Sequence, residues 1–391
     1  MTAIKDSVHG YIELSPDAEA ILDTEPMQRL RYVRQLSTVQ LVYPSANHTR
    51  FEHSLGVYHL ASKAVEKLDV EDDLARRLRI AALVHDAGHG PFGHQTEAAI
   101  ERHLGRHHDE IEWLLSDTEL GDAIESRGLD PKSVAETVDG GGPLGDLVSG
   151  PLDVDRMDYL VRDAHHTGVP YGTIDHDRLV RSLRVVDGEL VLDGSDIATA
   201  ESTLIARTLM NATVYRHHVS RIAGTMLDRG SEQLLTDGVV SPKRFARLTD
   251  AELLATMGDH DPTAELSTRI RQRQLYKRAV WVRRDAAPEQ FGALDYDDTR
   301  DLEADIAAAA GVDSGAVIVD SPAVPSSPES RARILVDGRP TPLEERSALV
   351  SGLDACAREL WRLGVYTPSE SVEPVREAAT TVLGIDADPS P

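Results

Sequence analysis

The stretch Ala81-Ala82-Leu83-Val84-His85-Asp86-Ala87-Gly88-His89-Gly90-Pro91-Phe92-Gly93-His94 decides how this chain is read. An apolar run with helical spacing ends in an adjacent histidine and aspartate, and Gly88, Gly90, Pro91 and Gly93 then stop the helix. Burying an imidazole and a carboxylate at the end of such a run is costly unless the two are paired or hold a metal. Together they suit a borderline or hard divalent ion: Mn, Mg, Fe, Zn or Co. Two adjacent residues cannot complete a site, so the other ligands must come from elsewhere. The candidates are His53, in Arg50-Phe51-Glu52-His53-Ser54, and Asp155, in Leu152-Asp153-Val154-Asp155-Arg156-Met157-Asp158-Tyr159. Each lies in a predicted helix, so His53, His85, Asp86 and Asp155 can meet inside a helical bundle. Singly, each has a plainer reading, the histidine as a hydrogen-bonded structural residue and the aspartate as a solvated face or helix cap. The weight lies in their order: His, then His-Asp about 30 residues on, then Asp about 70 further.

Working outward, residues 1–15 read as a hairpin-like lead-in with Gly10 at the turn. Ser15-Pro16-Asp17 is a helix start. Helices are predicted over 27–36, 51–68, 72–87, 96–104, 109–115 and 151–166, with one long helical block over about 195–236. Asp187-Gly188 between two apolar runs marks a hairpin in 182–196. The Gly-rich stretch 138–150 reads as a plain loop, because no Lys-Ser/Thr follows to make a phosphate cradle. Residues 249–283 read as helical, then as a strand at 279–282. Residues 285–334 read as a small α/β lobe: a helix at 300–310, strands at 316–320 and 332–336, and a Pro/Ser loop at 321–329. A helix over 343–363 closes the ordered part, and the end, DADPSP, is expected to be loose. The fold class is mainly α, a helical bundle with a small C-terminal α/β lobe. Two domains are expected, 1–230 with a metal-binding core at about 46–168, and 231–391.

Lys+Arg number 41 and Asp+Glu 66 in 391 residues, a formal net charge of −25. That argues against a general nucleic-acid binder, whose affinity rests on neutralising phosphates, and disfavours an anionic membrane surface. Lysine is scarce, with six residues against 35 arginines, which fits a halophilic protein whose acidic surface is screened by salt, the plainer alternative being an ordinary acidic protein from an arginine-biased genome. The single cysteine, Cys356, excludes an intrachain disulfide and a thiolate zinc cage. With no basic-then-apolar leader and no run approaching 18 apolar residues, the expected location is cytoplasmic.

Five segments taken together resemble a known family: KDSVHGYIEL at 5–14, QRLRYVRQL at 28–36, YPSANHTRFEHSLGVYHLA at 43–61, HDAGHGPFGH at 85–94 and DVDRMDYLVRDAHHTG at 153–168. The chain resembles the HD phosphohydrolase superfamily. It is most similar to the SAM-and-HD-domain deoxynucleoside triphosphate triphosphohydrolases and their bacterial and archaeal relatives, strongly over about 4–230 and weakly to about 365. The resemblance implies an HD-domain bundle with a divalent ion on His53, His85, Asp86 and Asp155. It also implies water attack at the α-phosphorus, releasing a deoxynucleoside and intact triphosphate.

By the same resemblance, His94 is the acid/base group. Glu97, three residues on, would share its helical face and raise its pKa. Some family members carry Asp at this position. His89 and His108 match histidines near the phosphates, and Arg50, Arg156 and Arg207 match phosphate contacts, for which arginine's bidentate fork is suited. Tyr159 and Asp163 match groups around the sugar, with Tyr159 crowding C2′ and Asp163 accepting the 3′-OH. Gln35 and Tyr215 flank sugar and base. Asp6, Gln28, Arg31, Arg273 and Lys277 match an allosteric site for a guanine or deoxynucleotide effector in a homotetramer, although the family's extra N-terminal residues that complete that site have no counterpart. An HD phosphohydrolase acting on another nucleotide phosphate ester (a monophosphate, cyclic dinucleotide or alarmone) is the alternative. A nucleotide-sensing or nucleic-acid-binding scaffold with idle chemistry is a third reading, disfavoured by the intact ligand set and the acidic surface.

Overall fold

The computed structural model describes residues 2–292, 294–323 and 331–385. It opens with the antiparallel hairpin β1 (Ala3–Asp6) and β2 (Gly10–Glu13), turned at Gly10, whose φ of +81° suits glycine. The Ser15 hydroxyl accepts from the Ala18 N–H and caps α1 (Pro16–Leu22), as the Ser-Pro start predicts. Glu52 folds back to accept from the Thr49 N–H at 2.7 Å, which starts α2 (Arg50–Lys67). Next come α3 (Asp72–Val84), α4 (Glu97–Leu104) and α5 (Val154–Thr167). Asp153 caps α5 by accepting from the Arg156 N–H at 2.7 Å. Apolar faces from α2 (Leu55, Leu60, Ala64), α3 (Leu78, Ala81, Ala82) and α5 (Met157, Leu160) merge into one buried core, and this packing holds the site-bearing ends of the three helices together.

The hairpin β3 (Leu183–Val186) and β4 (Glu189–Asp193) turns on Asp187-Gly188, at φ +51° and +83°. Beyond it lie α6 (Ile197–Met210), α7 (His218–Thr236) and α8 (Asp261–Arg271). The C-terminal part holds β5 (Lys277–Arg283), α9 (Tyr296–Ala310), β6 (Ile318–Asp320), β7 (Arg333–Val336), β8 (Arg339–Pro342), α10 (Ala348–Glu359), β9 (Arg362–Thr367) and α11 (Val372–Leu383). The molecule is mainly helical with small sheets, as expected. Among the described residues, no helix is long and apolar enough to cross a membrane.

Several local expectations are corrected. The helix expected over 27–36 stops at Arg29 and tightens to a 3-10 turn at Leu30–Tyr32, because residues 33–35 pair with 48–50: Arg50 N–H donates to Val33 O and Gln35 N–H to His48 O. The helix expected to 87 ends at Val84, and His85–Gly88 forms a 3-10 turn. A Cβ on Gly88 would lie 2.1 Å from the His108 carbonyl oxygen, so that turn needs glycine for the close approach. The block over 195–236 breaks at a π-turn, Asn211–Tyr215, and restarts with His217 Nδ1 accepting from the Val219 N–H.

Residues 362–367, of which only the first two were expected to be helical, are β9, the central strand of the sheet β5-β9-β6. Its Leu363 and Val365 join Ile306 of α9 and Val375 and Ala379 of α11 in a third core cluster. The strand expected at 332–336 does not belong to that lobe: β7 leaves it to pair in parallel with β4, giving the sheet β3-β4-β7-β8. Residues 324–330 of the Pro/Ser loop, and the end DADPSP, lie outside the described residues. Position 230 lies inside α7, whose Ile222, Met226 and Leu227 share a core cluster with Phe92, Phe245 and Tyr366.

Candidate metal centre and active site

Three chain segments bring the four expected ligands together. α2 presents His53, the 3-10 turn after α3 presents His85 and Asp86, and the first turn of α5 presents Asp155. His53 Nε2 and His85 Nε2 are 3.3 Å apart, a spacing that one ion about 2.1 Å from each can bridge. Asp155 Oδ1 is 2.8 Å from His53 Nε2 and 3.7 Å from His85 Nε2. Asp86 Oδ1 is 3.4 Å from His85 Nε2, and its Oδ2 is 3.9 Å from His53 Nε2. His53, His85 and Asp86 are buried, whereas the Asp155 side chain is 32% exposed, so the cluster opens to solvent on the Asp155 side.

The donor set fits a divalent cation. Each imidazole has its Nδ1 engaged elsewhere, His53 with Asp158 Oδ2 at 2.8 Å and His85 with the Ala82 carbonyl at 2.9 Å. Both Nε2 atoms therefore face the cluster, the arrangement by which outer partners fix a ligand histidine's tautomer. Burial opposes charge on His53, but the hydrogen bonds to Asp155 and Asp158 win and raise its pKa to about 10. Burial likewise works against the Asp86 carboxylate, yet Arg50, His85 and His89 hold it well below the usual range. Positive charge is what this pocket attracts.

Sequence reasoning missed the carboxylate behind His53. Asp158 lies three residues after Asp155, on the same face of α5, and that Asp-x-x-Asp spacing is the signal that could have found it. It also accepts from His9 Nε2 at 2.6 Å and Arg162 Nε at 2.8 Å. Gly56 of α2 makes room for it, since a Cβ there would lie 1.9 Å from Asp158 Oδ1.

Beside the metal cluster stands a histidine group. His94 Nδ1 is 2.7 Å from Glu97 Oε2, and His108 Nδ1 bonds the other oxygen of the same carboxylate. His89 stacks on His108 with ring centroids 3.9 Å apart, and the His94 ring stands edge-on to both. Ligand atoms of His89, His94 and His108 lie within 4.8 Å of one another. His89 Nε2 is 3.3 Å from Asp86 Oδ1, which links the two groups. Burial, with Arg50 and His108 nearby, holds His89 well below the usual imidazole pKa and hence neutral. Glu97 is held well below the usual carboxylate range, burial being outweighed by hydrogen bonds from His108 and His94. His94 is the exposed member, with its side chain 65% accessible.

Arg50 wedges between the groups. Its Nη1 donates to Asp86 Oδ2 at 2.8 Å, and a Cβ on Gly93 would lie 2.3 Å from its Nη2. Arg156 Nη1 donates to the carbonyls of Gly150 and Pro151, and Arg207 sits half-buried on α6. Asp163 Oδ2 accepts from Tyr215 OH at 2.8 Å, and its Oδ1 is 2.8 Å from His48 Nε2. The π-turn sets Tyr215 at this distance. The Tyr159 ring centroid is 6.5 Å from that of His53 and 6.1 Å from that of Tyr215. Gln35 Oε1 is buried without a hydrogen-bond partner. His48, fully buried against Asp163, is a second residue the sequence reading passed over.

The five residues matched to an effector site make the following contacts within the chain. Asp6 is buried and pairs with Arg162 at 2.8 Å, behind the metal cluster. Gln28 Oε1 accepts from Arg31 Nε at 2.8 Å, and the Arg31 guanidinium stacks on Phe51. Arg273 donates to the Leu41 carbonyl just after α8, and Lys277 is exposed at the start of β5.

The sequence model of the HD domain matches residues 50–138, and that of the HD-associated region matches 174–390, more than half of the chain. The chain belongs to the HD family. An HD relative in Methanocaldococcus jannaschii, the uncharacterized protein MJ1154, is 33% identical over 385 residues, covering 96% of this chain and 81% of its own length. The "deoxynucleoside triphosphate triphosphohydrolase SAMHD1 homolog" of Dictyostelium discoideum is 32% identical over 308 residues; the match covers 70% of this chain and only 59% of that relative. Among solved structures, a hypothetical protein from Aquifex aeolicus superposes with a TM-score of 0.77 at 28% identity, over 96% of this chain and 99% of that one. The HD chain described here is thus a hydrolase of the phosphohydrolase superfamily. HD domains depend on a metal, and this one carries a His/Asp cluster able to hold it.

Proposed function

We propose that the protein hydrolyses deoxynucleoside triphosphates to deoxynucleoside and triphosphate. The observation that carries this reading is the order of groups across the site. Arg50 and His89 contact Asp86 and His89 stacks with His94 and His108, whereas Tyr159 lies by His53 and leads through Tyr215 to Asp163. That order matches a substrate with phosphates at one end and a sugar at the other. The name of the Dictyostelium relative supports the substrate class.

A divalent ion on His53, His85, Asp86 and Asp155 would supply Lewis-acid polarisation of a phosphoryl oxygen and a more acidic water. The chain's own residues do the rest. Arg50, Arg156 and Arg207 bind phosphate oxygens, assisted by His89 and His108. Glu97 holds His94 by its Nδ1, so that Nε2 carries a proton toward the departing 5′ oxygen. Asp163, already oriented by His48 and Tyr215, accepts the 3′-OH, and Gln35 offers its unclaimed Oε1 beside sugar and base. Tyr159 fills the space at C2′.

A panel of dNTPs, NTPs and monophosphates tests the reading directly. Run in oxygen-18 water, hydrolysis of a dNTP should place the label on triphosphate released in one piece. Label in the nucleoside, or stepwise release of orthophosphate, would reassign the enzyme to another branch of phosphate-ester hydrolysis. Deoxy preference has its own test: Tyr159→Ala should narrow the ratio of dGTP to GTP turnover, and an unchanged ratio would remove Tyr159 from the sugar pocket.

Assembly and regulation belong to the same proposal. We read the protein as a cytoplasmic homotetramer. Gln28, Arg31, Arg273 and Lys277 would receive a guanine or deoxynucleotide effector where subunits meet. At −25 per subunit, repulsion opposes assembly in dilute buffer, and salt near 1 M cuts the screening length to about 3 Å. Mass in solution should therefore rise with salt, and further with dGTP. A monomer fully active without nucleotide at every salt concentration would dismiss both tetramer and effector site.

A further inference from the structure

The turn of the N-terminal hairpin reaches in behind the metal cluster. Asp6 Oδ1 accepts from the backbone N–H groups of Val8 at 2.9 Å and His9 at 2.7 Å, so the side chain fixes its own turn. The turn then makes two inward contacts. Asp6 Oδ2 accepts from Arg162 Nη1 at 2.8 Å, and His9 Nε2 donates to Asp158 Oδ1 at 2.6 Å. The side chains of Arg162 and Asp158 are wholly buried, and that of His9 is 1% exposed. Asp158 is thereby filled. Its Oδ1 takes His9 and Arg162 Nη2, and its Oδ2 takes His53 Nδ1 and Arg162 Nε. A carboxylate with a donor along each of these directions cannot swing, and the acceptor it offers to His53 stays in one place.

We propose that His9 and Asp6 are positioning residues of the metal centre. Acting through Asp158 and Arg162, they fix the tautomer and tilt of His53, so the hairpin turn must be seated for the site to hold a divalent cation tightly. The inference rests on the reading of His53, His85, Asp86 and Asp155 as ligands, and it reassigns Asp6 from an effector contact to support of the ion. A burial-only role for the hairpin would lower stability without setting metal affinity, and this difference makes the idea testable. The same turn also touches the sugar side: Ser7 Oγ is 3.4 Å from His166 Nε2, and His166 stacks on His48 at 4.4 Å, the residue that orients Asp163.

The test is titration of the full-length, metal-stripped protein with Mn2+, following the electron paramagnetic resonance signal of the free ion, with the melting temperature of each metal-free variant recorded alongside. His9→Leu should weaken Mn2+ binding by about tenfold or more, the usual effect of losing an outer-shell partner. His9→Gln, which keeps an N–H donor, should recover most of that loss. Asp6→Asn, which keeps the turn's acceptor but drops the charge facing Arg162, should also bind more weakly. Tyr11→Ala, on the exposed face of the same hairpin, should bind as the parent does. Parental affinity in both His9→Leu and Asp6→Asn would overturn the proposal. So would equal losses in His9→Leu, His9→Gln and Tyr11→Ala, which would mean general loosening of the hairpin. His85→Ala separates the premises: if it too keeps parental Mn2+ affinity, the ligand assignment fails and takes this inference with it.

Discussion

Replacing His85 and Asp86 together by alanine is expected to reduce both bound metal and turnover to background while the helical circular-dichroism signal persists. The two side chains sit in a 3-10 turn after α3, not within its hydrogen-bonded body, so the helix does not depend on them. The ion does. Without His85 Nε2 and the Asp86 carboxylate, only His53 and the half-open Asp155 remain, and two ligands cannot hold a borderline divalent cation in competition with water. Removing Asp86 also strips Arg50 of its partner and leaves a buried guanidinium unpaired, which costs stability in its own right. The melting temperature should therefore fall even though the fold is kept. Hydrolysis near the parental rate in this double variant would show that the metal centre lies elsewhere.

His94→Ala is expected to lower kcat by about 10²–10⁴-fold, the usual contribution of a positioned acid, with metal content unchanged. The geometry sets apart what this variant does from what a metal-site variant does. His94 is largely exposed and touches Glu97 and the edges of His89 and His108, but no atom of the ligand cluster is among its hydrogen-bond partners. Its loss should spare the ion. A substrate whose leaving group needs no proton, such as a p-nitrophenyl phosphodiester, should lose far less activity than a dNTP in the same variant. Equal losses on both substrates would demote His94 to a structural role. Glu97→Gln should show a milder version of the same pattern, because it keeps the shape but weakens the hold on Nδ1.

The parts of the site written in contiguous sequence were legible, and the parts made by tertiary packing were not. The His/Asp cluster could be read because a buried histidine-aspartate pair is conspicuous wherever it stands, and His53 and Asp155, proposed to join it, sit on helices with clear apolar faces. Asp158 and His48 were not read, because an aspartate on a helix and a histidine in a loop look ordinary until their partners are known. His9 pairs with a residue 149 positions away, and no local pattern announces such a contact. The π-turn at 211–215 was hidden for a related reason: apart from Ala212 its residues are weak helix formers, yet nothing in their pattern specifies a π-turn or the hydrogen bond that Tyr215 makes to Asp163. β9 was not read as a strand, because it is buried on both faces. It therefore lacks the two-residue alternation by which a half-exposed strand is recognised.

The excursion of β7, β8 and α10 makes the chain something like a buckled belt. After β6 the polypeptide leaves the C-terminal sheet, lays β7 along β4, sends Ile334, Leu343 and Val350 into the core of the helical bundle, and only then returns as β9. Ser347 fastens the return to Glu201 of α6, the helix that carries Arg207. A chain ending near residue 230 would therefore be an unbuckled half. β4 would become a bare sheet edge beside an uncovered apolar seam, the combination that invites a second copy to add its own strand. The two lobes are better regarded as one closed loop of chain. Damage to the distant clasp at 331–359 would be felt where Arg207 lies, with no change in any residue near the metal.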